Sequence, residues 1–167
     1  MNGNIILIGM PGVGKSTVGV VLAKAIGYNF IDADLVIQQQ EGKLLCELIE
    51  ELGAKGFLEL ENQVNRDLNV SRSIIATGGS AVYGQEAMEH YKQTGTVLYL
   101  KVSYEELENR LGDLKNRGVV LAEGETLLDL YKERTALYEK YADVTVNEEG
   151  LSIRETIDVV KKSLDLI

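Results

Sequence analysis

Apolar and polar positions along the chain alternate between two periods. Asn4-Ile5-Ile6-Leu7-Ile8 is a nearly continuous apolar run, the pattern of a strand buried on both faces, and residues 18–26 continue as a helix. Asn29–Asp32 reads as a short second strand that ends on an acidic residue. Residues 34–69 read as helices broken at Gly42 and Gly53, with Leu44, Leu45, Leu48, Ile49 and Leu52 at helical spacing. Residues 73–77 make a third strand, closed by Gly78-Gly79; residues 85–93 a short helix; residues 96–102 a long strand. Ser103 with Glu106, and Ser152 with Glu155, have capping-box spacing and start the next helix and the last one. Between them lie a polar, glycine-punctuated segment over 116–125, a helix over about 126–141 and a final strand over 143–146. Strands and helices that alternate through short links predict an α/β fold whose parallel sheet is covered on both faces.

The stretch joining the first strand to the first helix carries the chemistry. Gly9-Met10-Pro11-Gly12-Val13-Gly14-Lys15-Ser16-Thr17 satisfies G-x-x-x-x-G-K-[ST] at Gly9, Gly14, Lys15 and Ser16, in the strand, loop, helix context that this pattern requires. A triphosphate tail must be gripped without bulky walls. Residues Gly12, Val13, Gly14, Lys15, Ser16 and Thr17 are the candidate cradle: glycines allow close backbone approach, and the helix start adds the positive end of its dipole. Lys15 is a point charge for the outer phosphates, and Ser16 offers a hydroxyl to Mg²⁺. ATP and Mg²⁺ are therefore the expected ligands.

Composition narrows the class. At 167 residues and 45% hydrophobic content the chain is expected to be a single domain, 1–167, with a full core. A net charge of −9 argues against nucleic acid or an anionic membrane as partner and makes each of the six arginines informative. Cys46, the sole cysteine, lies in an apolar stretch and is expected to be a buried small residue. No N-terminal stretch has the pattern of a signal peptide or a span, so a cytoplasmic, monomeric protein is expected. The lone histidine, His90, is assigned to the surface, and Tyr131, Leu137, Tyr138 and Tyr141 to helix packing.

Ligands of parallel α/β sheets sit at the carboxyl ends of strands, where Asp32-Ala33-Asp34 and Gly78-Gly79 both fall. Two carboxylates there can divide the labour, one supporting Mg²⁺ and the other orienting or deprotonating an acceptor hydroxyl; the plain alternative is that Asp34 caps the next helix. The segment over 112–125, with three glycines among charged residues, is the candidate lid.

These features in this order resemble the shikimate kinase family of small phosphate-loop kinases over nearly the whole chain. The resemblance is carried by the phosphate loop with Gly19 and Leu22-Ala23, Asp32-x-Asp34, Gly42, Gly53, Phe57 with Glu61, Ala76-Thr77-Gly78-Gly79, and Arg134 with Leu137-Tyr138 and Ala142-Asp143. It implies a three-layer α/β/α P-loop NTPase fold with a five-stranded parallel sheet in the order 2-3-1-4-5, a substrate-binding helical segment near 33–61 and a lid. It further implies that Lys15 contacts the transferred phosphoryl group, Ser16 and Asp32 serve Mg²⁺, and Asp34 holds acceptor hydroxyls and is the candidate base. Gly78 and Gly79 contact the acceptor, Arg110 packs on adenine, Arg117 reaches from the lid to the phosphates, and Arg134 binds a carboxylate.

Three positions depart from the family pattern. Leu58 stands where the family has the second arginine of the carboxylate clamp, Ser80 replaces the third glycine of Gly-Gly-Gly, and Arg117-Gly118-Val119-Val120 replaces Arg-Pro-Leu-Leu. Losing one arm of a charged hydrogen-bonded pair removes about 1.5–3 kcal/mol, roughly ten- to hundredfold in affinity. Lys55, one helical turn before Leu58, is a conceivable substitute, though a solvated lysine is the simpler reading. Two kinase readings follow, one with shikimate as acceptor and one with another small hydroxylated metabolite. A non-catalytic nucleotide-binding regulatory module is the reading from a different class. A nucleoside-monophosphate kinase fits less well, because the second strand leads into Asp-x-Asp.

Overall fold

The computed structural model describes residues 3–111 and 123–166. Its centre is β1 (Asn4–Ile8), whose five residues are all buried, as their apolar run demands. β1 pairs in parallel with β3 (Ser73–Ala76) on one side and β4 (Gly95–Lys101) on the other, placing Ile5 beside Ile74 and Thr96. β2 (Asn29–Asp32) and β5 (Val144–Asn147) close the edges, giving five strands in the order β2-β3-β1-β4-β5, all parallel. This is the order that the family resemblance implies.

Helices fill the crossovers. α1 (Lys15–Ile26) follows the phosphate loop, and α2 (Ala33–Glu41) follows β2. α3 (Leu45–Asp67) bends at Gly53, whose φ of 70° and ψ of 174° an L side chain rarely adopts, so the break expected there is a kink inside one helix. α4 (Gln85–Thr94), α5 (Tyr104–Leu111), α6 (Leu127–Tyr141) and α7 (Ile153–Ser163) follow among the described residues, with a 3₁₀ turn at Ala81–Tyr83 that the sequence pattern did not reveal. Ser152 and Glu155 form the expected reciprocal cap, and Thr126 with Asp129 forms a second one.

The main core lies on and around the sheet, while Ile37, Leu48, Phe57 and Val64 form a separate small cluster between α2 and α3. Two expectations change. Cys46, at the start of α3, is exposed rather than buried. Asp32, not Asp34, caps α2: its Oδ1 accepts from the Asp34 and Leu35 N–H groups at 3.0 and 3.3 Å, because it is the last extended residue before the helix. His90 is partly buried, with Nε2 2.8 Å from the Leu68 carbonyl oxygen. Among the described residues no helix is long and apolar enough to cross a membrane. Most of the lid segment, 112–122, and with it Arg117, lies outside the described residues.

Candidate active site

The site is assembled at the carboxyl edge of the central strands. After Ile8 the chain leaves the sheet, and Gly12 and Gly14 turn with φ of 85° and 90°, the left-handed backbone that lets successive amides face one concavity. Lys15, the first residue of α1, is buried beneath this loop, and its Nζ donates to the Gly9 and Met10 carbonyl oxygens at 2.7 and 2.9 Å. Burial pushes its ammonium down to about 8, against the opposing field of Asp34.

Ser16 Oγ donates to Asp32 Oδ2 at 2.9 Å, while Oδ1 of the same carboxylate caps α2. That separation fits adjacent corners of an octahedron of Mg–O bonds, whose edge is about 2.9 Å at Mg²⁺ distances, so the pair suits Mg²⁺ as an oxygen donor set. Among the described residues no group of three or more Asp, Glu, His or Cys is placed to hold a metal without a nucleotide.

Asp34, the second residue of α2, lines with Lys15 a cleft of about 610 Å³. Burial first, and Asp32 second, push its carboxyl up, with Lys15 opposing. The opposite rim is the loop after β3. Thr77 donates both N–H and Oγ1 to the Leu7 carbonyl, ending β3 one residue earlier than the pattern predicted and turning Gly78-Gly79-Ser80 over the cleft. Close packing requires both glycines. A Cβ on Gly78 would stand 2.7 Å from Glu61 Oε2 and 2.8 Å from Asp34 Oδ1, and one on Gly79 2.7 Å from Pro11 Cδ and 2.9 Å from Arg134 Nη1.

Arg134 comes from α6 and is 3% exposed. Its guanidinium lies 5.5 Å from the Tyr83 ring centre, and its Nε has no hydrogen-bond partner among the described residues. Of the residues that the sequence assigned to helix packing, Tyr138 does more. Buried beside Tyr99, it donates its hydroxyl to the Gly79 carbonyl at 2.6 Å and so ties down the loop after β3.

Lys15, Ser16, Asp34, Gly78, Gly79, Ser80 and Arg134 thus converge on one cleft, with Leu45, Ile49 and Phe57 as its apolar wall. Leu58 is half-buried and lies outside the cleft lining; Phe57 and Glu61 of the same helix face it instead. Lys55 is exposed. A second cavity of about 330 Å³ opens on the other side of the phosphate loop, lined by Gly12, Val13, Gly14 and Thr17 and by Arg110 and Glu148. Arg110 donates from Nε to Glu106 at 2.7 Å and from Nη1 to Glu148 at 2.9 Å. Burial pushes the Glu148 carboxyl up, and Arg110 pulls it back.

Sequence reasoning gave no role to two of these acids. Glu61 is 2% exposed, accepts from Ser80 Oγ at 2.6 Å, and is pushed to about 7 mainly by burial. Its place four residues after Phe57, on the same helical face, was the available signal. Glu148 follows the last strand in no motif, and only the fold brings it to Arg110.

Against known proteins, a family model described as Shikimate kinase matches residues 11–165. The chain is 33% identical to a shikimate kinase of Thermodesulfovibrio yellowstonii over 97% of this chain and 95% of that protein. It is 41% identical to one of Synechococcus over 88% of this chain and 76% of that protein. Among solved structures, a shikimate kinase from Acinetobacter baumannii in complex with shikimate superposes with a TM-score of 0.87 at 32% identity, covering 98% of this chain and 93% of the other. One from Bacteroides thetaiotaomicron gives 0.82 at 28%, covering 99% and 100%. A thymidylate kinase from Candida albicans, at 12% identity and a TM-score of 0.61, shares the fold alone. With the site's geometry and these likenesses in agreement, the chain belongs to the shikimate kinase family of small-molecule kinases that use ATP.

Proposed function

We propose that this chain transfers the γ-phosphoryl group of ATP to the 3-hydroxyl of shikimate, releasing ADP. The observation that carries the reading is the placement of Asp34 and Arg134 in the same cleft as Lys15: a base, a carboxylate-binding guanidinium and a phosphate-binding ammonium around one space. A regulatory module that only bound nucleotide would have no use for the first two.

In this reading the acceptor carboxylate pairs with Arg134 and fills the free Nε donor. Asp34 accepts the proton of the acceptor hydroxyl as its oxygen bonds to the γ-phosphorus and the bridging oxygen leaves with ADP. A carboxyl held above its ordinary range is a better base for this task than a solvated one. Lys15 exchanges the loop carbonyls for phosphate oxygens, whose charge restores its full protonation. Ser16 and Asp32 would hold Mg²⁺, which supplies further neutralisation of phosphate charge. Gly12 to Thr17 cradle the phosphates, Gly78, Gly79 and Ser80 border the acceptor, Arg110 faces the adenine from the second cavity, and Arg117 belongs to the lid.

One observation supports a different hydroxylated acceptor: among the described residues lining the cleft, Arg134 is the sole arginine. A coupled ADP-release assay over shikimate, hydroxy acids and polyols decides between them. Shikimate is expected to turn over best, with Lys15→Met and Asp34→Asn each lowering kcat by about a hundredfold or more. A protein that binds Mg²⁺-ATP and turns over no acceptor returns the regulatory reading.

A further inference from the structure

Two departures from the family pattern, Leu58 and Ser80, converge on one side chain. Leu58 leaves Glu61 without an arginine beside it on α3, and the Ser80 hydroxyl fills that place by donating to Glu61 Oε1 at 2.6 Å. The pair is built into the protein: Glu61 is 2% exposed and Ser80 9%. Glu61 Oε2 is turned the other way, toward Gly78, where Asp34 Oδ1 also points. Each oxygen lies under 3 Å from the place a Gly78 Cβ would take, so they are no farther apart than those two short distances together. Among the described residues no side chain donates to Oε2 or to the Asp34 carboxylate. Glu61 lines the cleft, so Oε2 is placed to accept from a donor on a molecule bound there.

We propose that Glu61, fixed by Ser80, is a specificity-determining residue of the acceptor cleft: with Asp34 it reads two hydrogen-bond donors on adjacent carbons, the hydroxyl that is phosphorylated and a neighbouring hydroxyl or amine. The assignment rests on the reading of this cleft as the acceptor site. It shifts discrimination from the carboxylate end, where Arg134 stands alone among the described lining residues, to the hydroxyl end. Burial and the field of Asp34 both favour the protonated Glu61, and a pair of donors from the acceptor supplies what the ionised form lacks.

The test is a cycle between the acceptor and the protein. Acceptor kcat and KM are measured by ADP release for wild type, Glu61→Gln and Ser80→Gly. The acceptors are shikimate, its 4-deoxy analogue, its 4-amino-4-deoxy analogue and its carboxamide. In Glu61→Gln, with the amide oxygen kept on Ser80, the amide nitrogen would turn toward the acceptor, and the charged oxygen that accepts from a hydroxyl or ammonium there would be gone. Wild type is expected to lose about ten- to hundredfold in kcat/KM when the 4-hydroxyl is removed, and less when the carboxylate becomes an amide. Glu61→Gln is expected to lose a similar factor on shikimate yet to match wild type within about threefold on the 4-deoxy compound, the non-additivity expected of a direct contact. Ser80→Gly, which leaves the fold's backbone undisturbed at φ −90°, is expected to show part of the same coupling. An amine analogue that outperforms shikimate identifies an amino alcohol as the preferred pair, and the reverse order a diol; either supports the assignment. Normal turnover with coupling below about threefold in both variants overturns it and leaves the proposed function standing. If wild type turns over none of the four, both fall together.

Discussion

Glu61 and Lys15 are buried side chains whose charged forms the ligand-free fold disfavours, and both lend themselves to titration. Glu61 is pushed from its ordinary 4.5 up to about 7, so between those values the folded chain holds a proton that the unfolded chain has released. Its contribution to stability is full below about pH 4.5 and is lost as pH rises through 7; Asp34 and Glu148, also pushed up by burial, act in the same direction. Lys15, lowered to about 8, acts oppositely and only at higher pH. Chemical denaturation of the ligand-free protein at pH 5, 6, 7 and 8 is therefore expected to show declining stability. Glu61→Gln is expected to flatten the decline by an amount on the order of 3 kcal/mol at pH 8. An unchanged slope in that variant would mean that Glu61 ionises freely.

At the scale of elements, what the sequence made legible was whatever local chemistry decides. The phosphate loop, the five strands to within a residue or two, the caps at Ser103 and Ser152 and the break at Gly53 follow from glycine placement, apolar runs and short polar side chains, whereas the cap at Thr126 went unread. What it hid depends on distant partners. Asp32 became the cap of α2 because β2 ends there, Tyr138 reached Gly79 across 59 positions, and Glu148 met Arg110 across 38. Cys46 was misread because its apolar neighbours Leu45 and Leu48 turn toward the cleft and the small core, leaving it outside. The kink in α3 matters to the site because it lies between Leu45 and Ile49 on one arm and Phe57 and Glu61 on the other. A Cβ at Gly53 would meet nothing within 4 Å, so Gly53→Ala imposes backbone strain alone. It is expected to destabilise the protein by about 1–3 kcal/mol in a melt and to raise the acceptor KM more than the ATP KM. A larger effect on ATP would detach α3 from acceptor binding.

Over the whole molecule, the phosphate loop stands between two cavities, with the acceptor assigned to one and the nucleoside to the other. Each ligand should therefore raise the melting temperature separately, by about 2.7 kcal/mol of stabilisation at a hundred times its Kd. Arg110→Ala is expected to reduce the rise with Mg²⁺-ATP while leaving that with shikimate intact; equal loss of both would mean that Arg110 acts on the fold and not on the nucleotide. These measurements need binding read apart from turnover, and the molecule already carries the means. Its single thiol, Cys46, is exposed one residue from Leu45, which lines the cleft proposed for the acceptor. A maleimide fluorophore would attach at that one position without any engineered substitution, so that acceptor occupancy could be followed optically even in a Lys15→Met protein that performs no chemistry.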